Sequence, residues 1–259
     1  MNIGIIGTGN IAAYLLEQVN AKRMAEGRIS AVFGRNVAVG TRLKERFGIE
    51  FYTDLQEFLA TPVDTVVEAV TVEAAALFLK DVAIQKKDLI VSSIGVFKDA
   101  ALLDELQTVA KANGTQIFLP SGAIGGLDIL QSAKAIGGLE RVGITTRKSP
   151  ASLGMETDEE QVLFDGMAID AVEKFPRNIN VALVLALAGI GVEKTTVRII
   201  VDPAVMRNTH TIEAYGDFGK MQLQVENNPM PANPKTSLLA ALSILAVLQN
   251  KGNALRIGN

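Results

Sequence analysis

Ile3-Gly-Ile-Ile-Gly7-Thr-Gly9-Asn-Ile-Ala12 is a short apolar run followed by the pattern G-x-G-x-x-A. The pattern carries physical meaning in one context, between a strand and the helix it opens. There the first glycine permits a tight turn and the second lets backbone approach a pyrophosphate. The small third residue lets the helix sit close to the strand. The helix start then offers its unpaired N–H groups and positive dipole end to the phosphates. Gly7, Gly9, Asn10, Ile11 and Ala12 are therefore candidate cofactor-binding residues.

The rhythm around this turn is that of alternating strands and helices. A helix is expected over 11–24, a strand over 29–33, and a helix to Phe47 closed by Gly48, a natural helix stop. A short strand near Phe51 leads to Thr53-Asp-Leu-Gln56, which has capping-box spacing. Strands at 65–70, 89–93 and 116–119 enclose helices at 72–85 and 98–113. Continuous Val/Ile/Leu runs mark strands covered on both faces. The expected fold is α/β, with an N-terminal Rossmann-type doubly wound parallel sheet over residues 1–120.

After a helix near 127–136 the pattern changes. A strand at 141–147 precedes a loop over 149–157 and two helices, 166–174 and 179–189. Three extended runs, 196–201, 209–215 and 221–225, follow with turn residues between them, which reads as an antiparallel or mixed sheet. The segment from Asn227 to Pro234 reads as a loop, and 235–248 as a final apolar helix free to pack on the first domain. Residues 121–259 are expected to form a smaller α+β domain for substrate binding and oligomerisation.

Composition narrows the chemistry. The chain has 259 residues, 25 Lys+Arg against 28 Asp+Glu, no cysteine and one histidine. Without cysteine there is no disulfide framework, thiolate metal site or thiol nucleophile, and a single histidine rules out multi-histidine metal sites, so no metal is expected. The absence of cysteine fits a reducing, cytoplasmic setting. A slightly acidic balance without a basic cluster argues against nucleic acid. The N-terminus carries no basic region ahead of its apolar run and does not read as a signal peptide. The longest apolar stretches fall short of the ~20 residues a membrane span needs.

The choice of dinucleotide turns on the end of the second strand, where an acidic residue about 20 positions after the glycines would bond the ribose 2′-hydroxyl. Glu26 is at that distance but precedes the strand. The strand ends Val32-Phe-Gly-Arg35, with no carboxylate and one guanidinium. NADP, alone or alongside NAD, is the expected cofactor, with Arg35 as a 2′-phosphate partner; a solvated surface charge is the plainer alternative.

A nicotinamide enzyme that takes a hydride from an alcohol or amine carbon also needs a proton acceptor. His210 is the only imidazole available, in a strand-like run whose alternation puts Asn208, His210 and Ile212 on one face. Lysine, tyrosine and carboxylates remain open by this argument. A substrate rich in carboxylates needs donors. Asn233-Pro234 reads as N-cap and first residue of the last helix, which would make Lys235, Thr236 and Ser237 an anion-binding first turn or simply a cap. Arg147 and Lys148, at a strand end, are a second source, and Asn208 shares the face of His210.

Several stretches resemble the L-aspartate dehydrogenase family: Ile117-Phe-Leu-Pro-Ser-Gly-Ala-Ile-Gly-Gly-Leu-Asp128, Lys174-Phe-Pro-Arg-Asn-Ile-Asn-Val-Ala182, Asp202-Pro203 with Asn208-Thr-His210, and Glu226-Asn-Asn-Pro followed by Asn233-Pro-Lys-Thr-Ser-Leu-Leu-Ala240. The resemblance runs from end to end. It implies NAD(P)-dependent oxidation of L-aspartate to iminoaspartate, reversible as reductive amination of oxaloacetate with ammonia, and NAD biosynthesis as its setting. It implies that His210 is the active-site residue and that Ala123 and Asn180 contact the cofactor near its nicotinamide end. Relatives commonly carry an acid where this chain has Gly34, which weakens strict NAD dependence. A homodimer is the expected assembly. Rival readings are a dihydrodipicolinate reductase-like or homoserine dehydrogenase-like enzyme, and a non-enzymatic NAD(P)-binding sensor.

Overall fold

Six strands, β1 (Asn2–Ile6), β2 (Arg28–Phe33), β3 (Glu50–Tyr52), β4 (Thr65–Glu68), β5 (Asp88–Val91) and β6 (Ile117–Phe118), form the larger sheet in the order β3-β2-β1-β4-β5-β6, every neighbour parallel. A computed structural model describes the whole chain except residues 176–178, 256, 258 and 259 and the side chains of Pro234 and Lys235. The chain divides into two units, one made of residues 1–120 with the last helix from Ala241 onward, the other of residues 121–240.

In the first unit, β1 (Asn2–Ile6), α1 (Asn10–Leu16), β2 (Arg28–Phe33), α2 (Val37–Phe47), β3 (Glu50–Tyr52), α3 (Leu55–Leu59), β4 (Thr65–Glu68), α4 (Val72–Ala75), α5 (Leu79–Ile84), β5 (Asp88–Val91), α6 (Ala100–Asn113) and β6 (Ile117–Phe118) follow one another. The order reverses between β1 and β4, the switch point where open α/β sheets bind ligands. Ile3, Ile5, Val32, Val67 and Ile90 are buried in a core completed by Ile244, Leu245 and Leu248 of the last helix. α1 runs on as a π-helical segment, Glu17–Ala21. Gly48 closes α2 in the left-handed conformation at φ 62°, as its position suggests.

Two expectations in this unit change. The cap of α3 is Asp54, whose side chain accepts from the Glu57 N–H, one residue later than the Thr53 reading. The single helix expected over 72–85 is two. The Leu77 and Phe78 N–H groups tighten into i→i+3 bonds to Ala74 and Ala75, and Phe78 stacks edge-on against Phe33 with ring centres 5.3 Å apart. Packing overrides the helical propensity of the alanine run.

The second unit contains α7 (Leu127–Ala135), β7 (Leu139–Lys148), α8 (Pro150–Leu153), β8 (Gln161–Met167), α9 (Ala168–Lys174), α10 (Asn180–Ala188), β9 (Thr196–Val201), β10 (Asn208–Gly216), β11 (Gly219–Asn227), β12 (Pro229–Met230) and β13 (Asn233–Ser237), and α11 (Leu238–Gly252) begins at its end. Its sheet has the order β11-β10-β7-β9-β8 and is mixed: β7 and β9 are parallel, the other pairs antiparallel. The short helix α8 occupies part of the expected 149–157 loop. β8 escapes sequence reading because an edge strand with mostly exposed side chains lacks the period-2 burial signal.

The last helix begins at Leu238, not Lys235. Residues 233–237 instead pair with Pro229–Met230 as an antiparallel hairpin. The Asn233 side chain donates to Thr236 Oγ1 at 2.9 Å, a contact within the second strand of the hairpin rather than a helix cap. Lys235, Thr236 and Ser237 are therefore not a helical first turn, and the dipole argument for an anion there falls.

Candidate active site

The glycine turn has the geometry its sequence demands. Gly7 sits at φ 125°, and a Cβ there would lie 2.4 Å from the Ala69 carbonyl oxygen; only glycine meets both conditions. Its N–H donates to the Phe33 carbonyl at 2.8 Å, tying the turn to the end of β2. Gly9 is the N-cap of α1, with no side chain capping the helix and no acid in its first turn. A Cβ at Gly9 would meet no protein atom within 4 Å. Internal packing thus gives no reason for glycine at position 9, whereas a pyrophosphate lying against the backbone does. Ala12 is fully buried, holding helix and strand close. The turn fits a dinucleotide.

Beside it lies a residue that sequence reading passed over. Glu68 ends β4 and is fully buried. Its carboxylate accepts from the N–H groups of Val70 (2.8 Å), Ser92 (3.1 Å) and Ser93 (2.9 Å) and from Ser93 Oγ (2.8 Å). Burial pushes its pKa up, and these four donors oppose that rise. The carboxylate thereby clamps the loops after β4 and β5 against the segment that presses on Gly7. The one available signal was a lone acid inside the apolar run Thr65–Val70.

At the end of β2, a Cβ on Gly34 would approach Thr8 Cγ2 to 2.6 Å, so an acid there would displace the turn residue. Arg35 is exposed and Asn36 caps α2 through the Val39 N–H. Glu26 is exposed and precedes β2, at the wrong end of the strand for the ribose.

In the second unit, β10 lies between β7 and β11, with His210 opposite Thr146 on one side and Val225 on the other. His210 is 4% exposed, and its Nδ1 is 2.9 Å from Thr146 Oγ1. Burial, then the charge of Lys148, lowers its pKa to about 4, so the ring is neutral at pH 7. Lys148 is two residues beyond Thr146 on the same face of β7, and burial lowers its own pKa. Antiparallel register places Asn208 opposite Asn227 and, one step further, beside Lys148. One face thus carries Thr146, His210, Lys148, Asn208 and Asn227.

Arg147 alternates to the other face. It pairs with Thr209 in register, and its guanidinium bonds Asp202 (2.7 Å) and Glu160. Its charge is matched by these two acids on the face away from His210, whereas Lys148 lies on the same face as His210. Ala123 is buried in the 121–126 loop, where Gly122 and Gly126 take φ 65° and 77°, and its carbonyl accepts from Asn227 Nδ2 at 3.0 Å. Asn180 is the first residue of α10. The Pro176-Arg177-Asn178 part of the family-like stretch, and the side chain of Lys235, lie outside the described residues. Among the described residues, no group of three or more His, Asp or Glu could hold a metal ion, and no helix is long and apolar enough to cross a membrane.

Comparison with known proteins covers both units. Residues 128–251 match the family model described as aspartate dehydrogenase, C-terminal, and residues 7–120 that of the homoserine dehydrogenase NAD binding domain. The chain is 36% identical to an L-aspartate dehydrogenase of Methanopyrus kandleri, over 100% of this chain and 98% of that one. It is 38% identical to one from Methanococcoides burtonii, over 100% and 99%. Among solved structures, an aspartate dehydrogenase of Thermotoga maritima superposes with a TM-score of 0.82 at 31% identity, covering 100% of this chain and 99% of that one.

Proposed function

This chain belongs to the aspartate dehydrogenase family, and from that premise we propose that it oxidises L-aspartate to iminoaspartate with NAD or NADP, and in reverse aminates oxaloacetate reductively. The observation that carries the reading is the neutral, buried imidazole of His210 beside Thr146 and Lys148, in the part of the chain that matches the aspartate dehydrogenase C-terminal model.

Gly7, Gly9, Asn10, Ile11 and Ala12 would hold the dinucleotide through backbone N–H groups and the α1 N-terminus. Arg35 is assigned to a 2′-phosphate, which makes NADP a good substrate. Ala123 and Asn180 are assigned to the nicotinamide end. The bound nicotinamide supplies the hydride acceptor for the substrate α-carbon.

The protein's own work concerns charge and protons. When Nδ1–H donates to Thr146 Oγ1, His210 Nε2 keeps its lone pair and can take a proton from the substrate nitrogen or from the water that attacks the imine. A base of pKa about 4 is weak for this task. Burial is the larger cause of that depression, and a substrate carboxylate next to Lys148 offsets only the second, the cationic charge of Lys148. Asn208 is the second donor on that face; Thr236, Ser237 and Lys235 remain assigned to the substrate as hairpin rather than helix residues.

We place the enzyme in the cytoplasm, as a homodimer, serving NAD biosynthesis; the cysteine-free composition supports the reducing compartment. Light scattering on the purified chain tests the dimer. The activity is tested by offering L-aspartate, L-homoserine, L-glutamate and L-malate with each cofactor. Aspartate-dependent reduction well above the others is expected, and turnover of homoserine alone would replace the reading.

A further inference from the structure

Among the described residues, one buried side-chain polar atom has no hydrogen-bond partner: Oδ1 of Asn227. The residue is 3% exposed. Its amide orientation is settled by its other contact, because the Ala123 carbonyl can only accept, so Nδ2 must be the atom that faces it at 3.0 Å. What remains is a bare acceptor in a dry place. Such an atom carries the desolvation penalty of a buried polar group with nothing to offset it, so its retention needs a reason.

Position suggests one. Asn227 stands directly opposite Asn208 and diagonal to His210, at the roughly 7–8 Å spacing of diagonal neighbours across a strand pair. That gap suits a four-carbon substrate rather than a direct side-chain contact. Across the sheet the row reads Lys148, Asn208, Asn227: a cation at one end and an unpaired acceptor at the other. A substrate with a carboxylate and an amine presents the matching pair of charges.

We propose that Asn227 Oδ1 receives an N–H of the substrate's α-amino group, fixing the amine beside His210 and selecting an amino acid over the corresponding unsubstituted diacid, which has no donor at that carbon. The proposal rests on the aspartate reading above and adds the residue that recognises the nitrogen. Asn227 here is a binding and orienting residue, because an acceptor holds ammonium and free amine alike, while His210 handles the proton. The same acceptor chemistry would suit the carboxamide N–H of the cofactor, and the experiment separates the two.

The test compares wild type with Asn227→Leu and the nearly isosteric Asn227→Asp, each first checked for folding by circular dichroism. Three quantities are measured: KM for L-aspartate, Ki for succinate (the same diacid without the amine) and Kd for NADP. Loss of a hydrogen bond to a charged group corresponds to about a tenfold to hundredfold rise in aspartate KM. That rise is expected in Asn227→Leu, with succinate Ki and cofactor Kd within a few-fold of wild type. Asn227→Asp keeps an acceptor oxygen but loses the donor to the Ala123 carbonyl, so its general strain should appear in succinate Ki and aspartate KM alike, and its ratio of aspartate KM to succinate Ki should stay closer to wild type than that of Asn227→Leu. Equal rises in aspartate KM and succinate Ki in Asn227→Leu would reduce Asn227 to a packing residue and overturn the proposal. A rise confined to cofactor Kd would assign the acceptor to the carboxamide, again overturning it. A wild type inert to aspartate that still binds succinate would instead remove the premise.

Discussion

The glycine turn and the His210 face are built from opposite materials. At the turn, the proposed cofactor site rests on what is missing: two Cβ atoms, one excluded by the Ala69 carbonyl and a positive φ, the other by no protein atom. On the His210 face, the proposed chemistry rests on side chains from three strands, brought together by register. A backbone site tolerates no added atom, whereas a side-chain site tolerates changes of shape but not of chemistry. The two should therefore fail differently.

The largest separation is expected within the turn itself. Gly7→Ala puts an alanine at φ 125° with its Cβ 2.4 Å from a carbonyl oxygen. The dihedral alone costs on the order of 1–3 kcal/mol and the collision adds to it, so the melting temperature should drop sharply. Gly9→Ala should leave the melting temperature unchanged and weaken cofactor binding by about tenfold. Equal losses of stability in both variants would mean that position 9 is glycine for folding rather than for a ligand.

The His210 face should announce itself by pH. The folded-state pKa of about 4 lies below the unfolded value near 6.5. Below pH 6.5 the unfolded chain binds a proton that the folded chain refuses, so stability falls as pH drops from about 6.5 to about 4 and this contribution then levels off. The full span is about 3 kcal/mol. Denaturant unfolding of wild type and His210→Asn across that window isolates it, since other groups contribute to both. Parallel stability curves would place the imidazole in water.

Glu68→Gln tests the clamp that supports the turn. The amide must face at least one of the three N–H groups with its own NH2, which costs about 1–3 kcal/mol. Cofactor KM should rise more than aspartate KM, because the disturbed loops lie beside Gly7; the reverse order would detach Glu68 from the cofactor. The smallest effect belongs to Arg35→Ala. An exposed guanidinium on a phosphate should yield about a tenfold loss in kcat/KM for NADP and little change for NAD. Equal changes for the two cofactors would leave Arg35 as a solvated charge.

The same contrast governs what could be read in advance. Gly7 to Ala12 is contiguous, so strand, turn and helix can be seen within ten residues. The His210 face joins residues 146, 148, 208, 210 and 227, whose proximity depends on β10 lying between β7 and β11. Spacing alone leaves His210 among several candidates and does not separate Arg147 from Lys148, because which of two adjacent strand residues faces the histidine is decided by pairing register. Asn227 stood in a quoted motif without a role for the same reason. Glu68 looked like an interruption of a strand and is the anchor of two loops. The hairpin at 229–237 reads in sequence as a loop and a helix cap, since Asn-Pro suits both and only the pairing with Pro229–Met230 distinguishes them.

The central claim, that a substrate amine is oxidised beside His210, meets its most direct test in initial rates of aspartate-dependent NADP and NAD reduction by wild type and His210→Ala, with cofactor Kd measured on both. Positioned proton transfer contributes about 10²–10⁴-fold. The account predicts turnover of aspartate by wild type and a loss of kcat/KM in that range in the variant, with cofactor affinity unchanged. A variant that keeps most of its kcat/KM, while binding cofactor as wild type does, would contradict it.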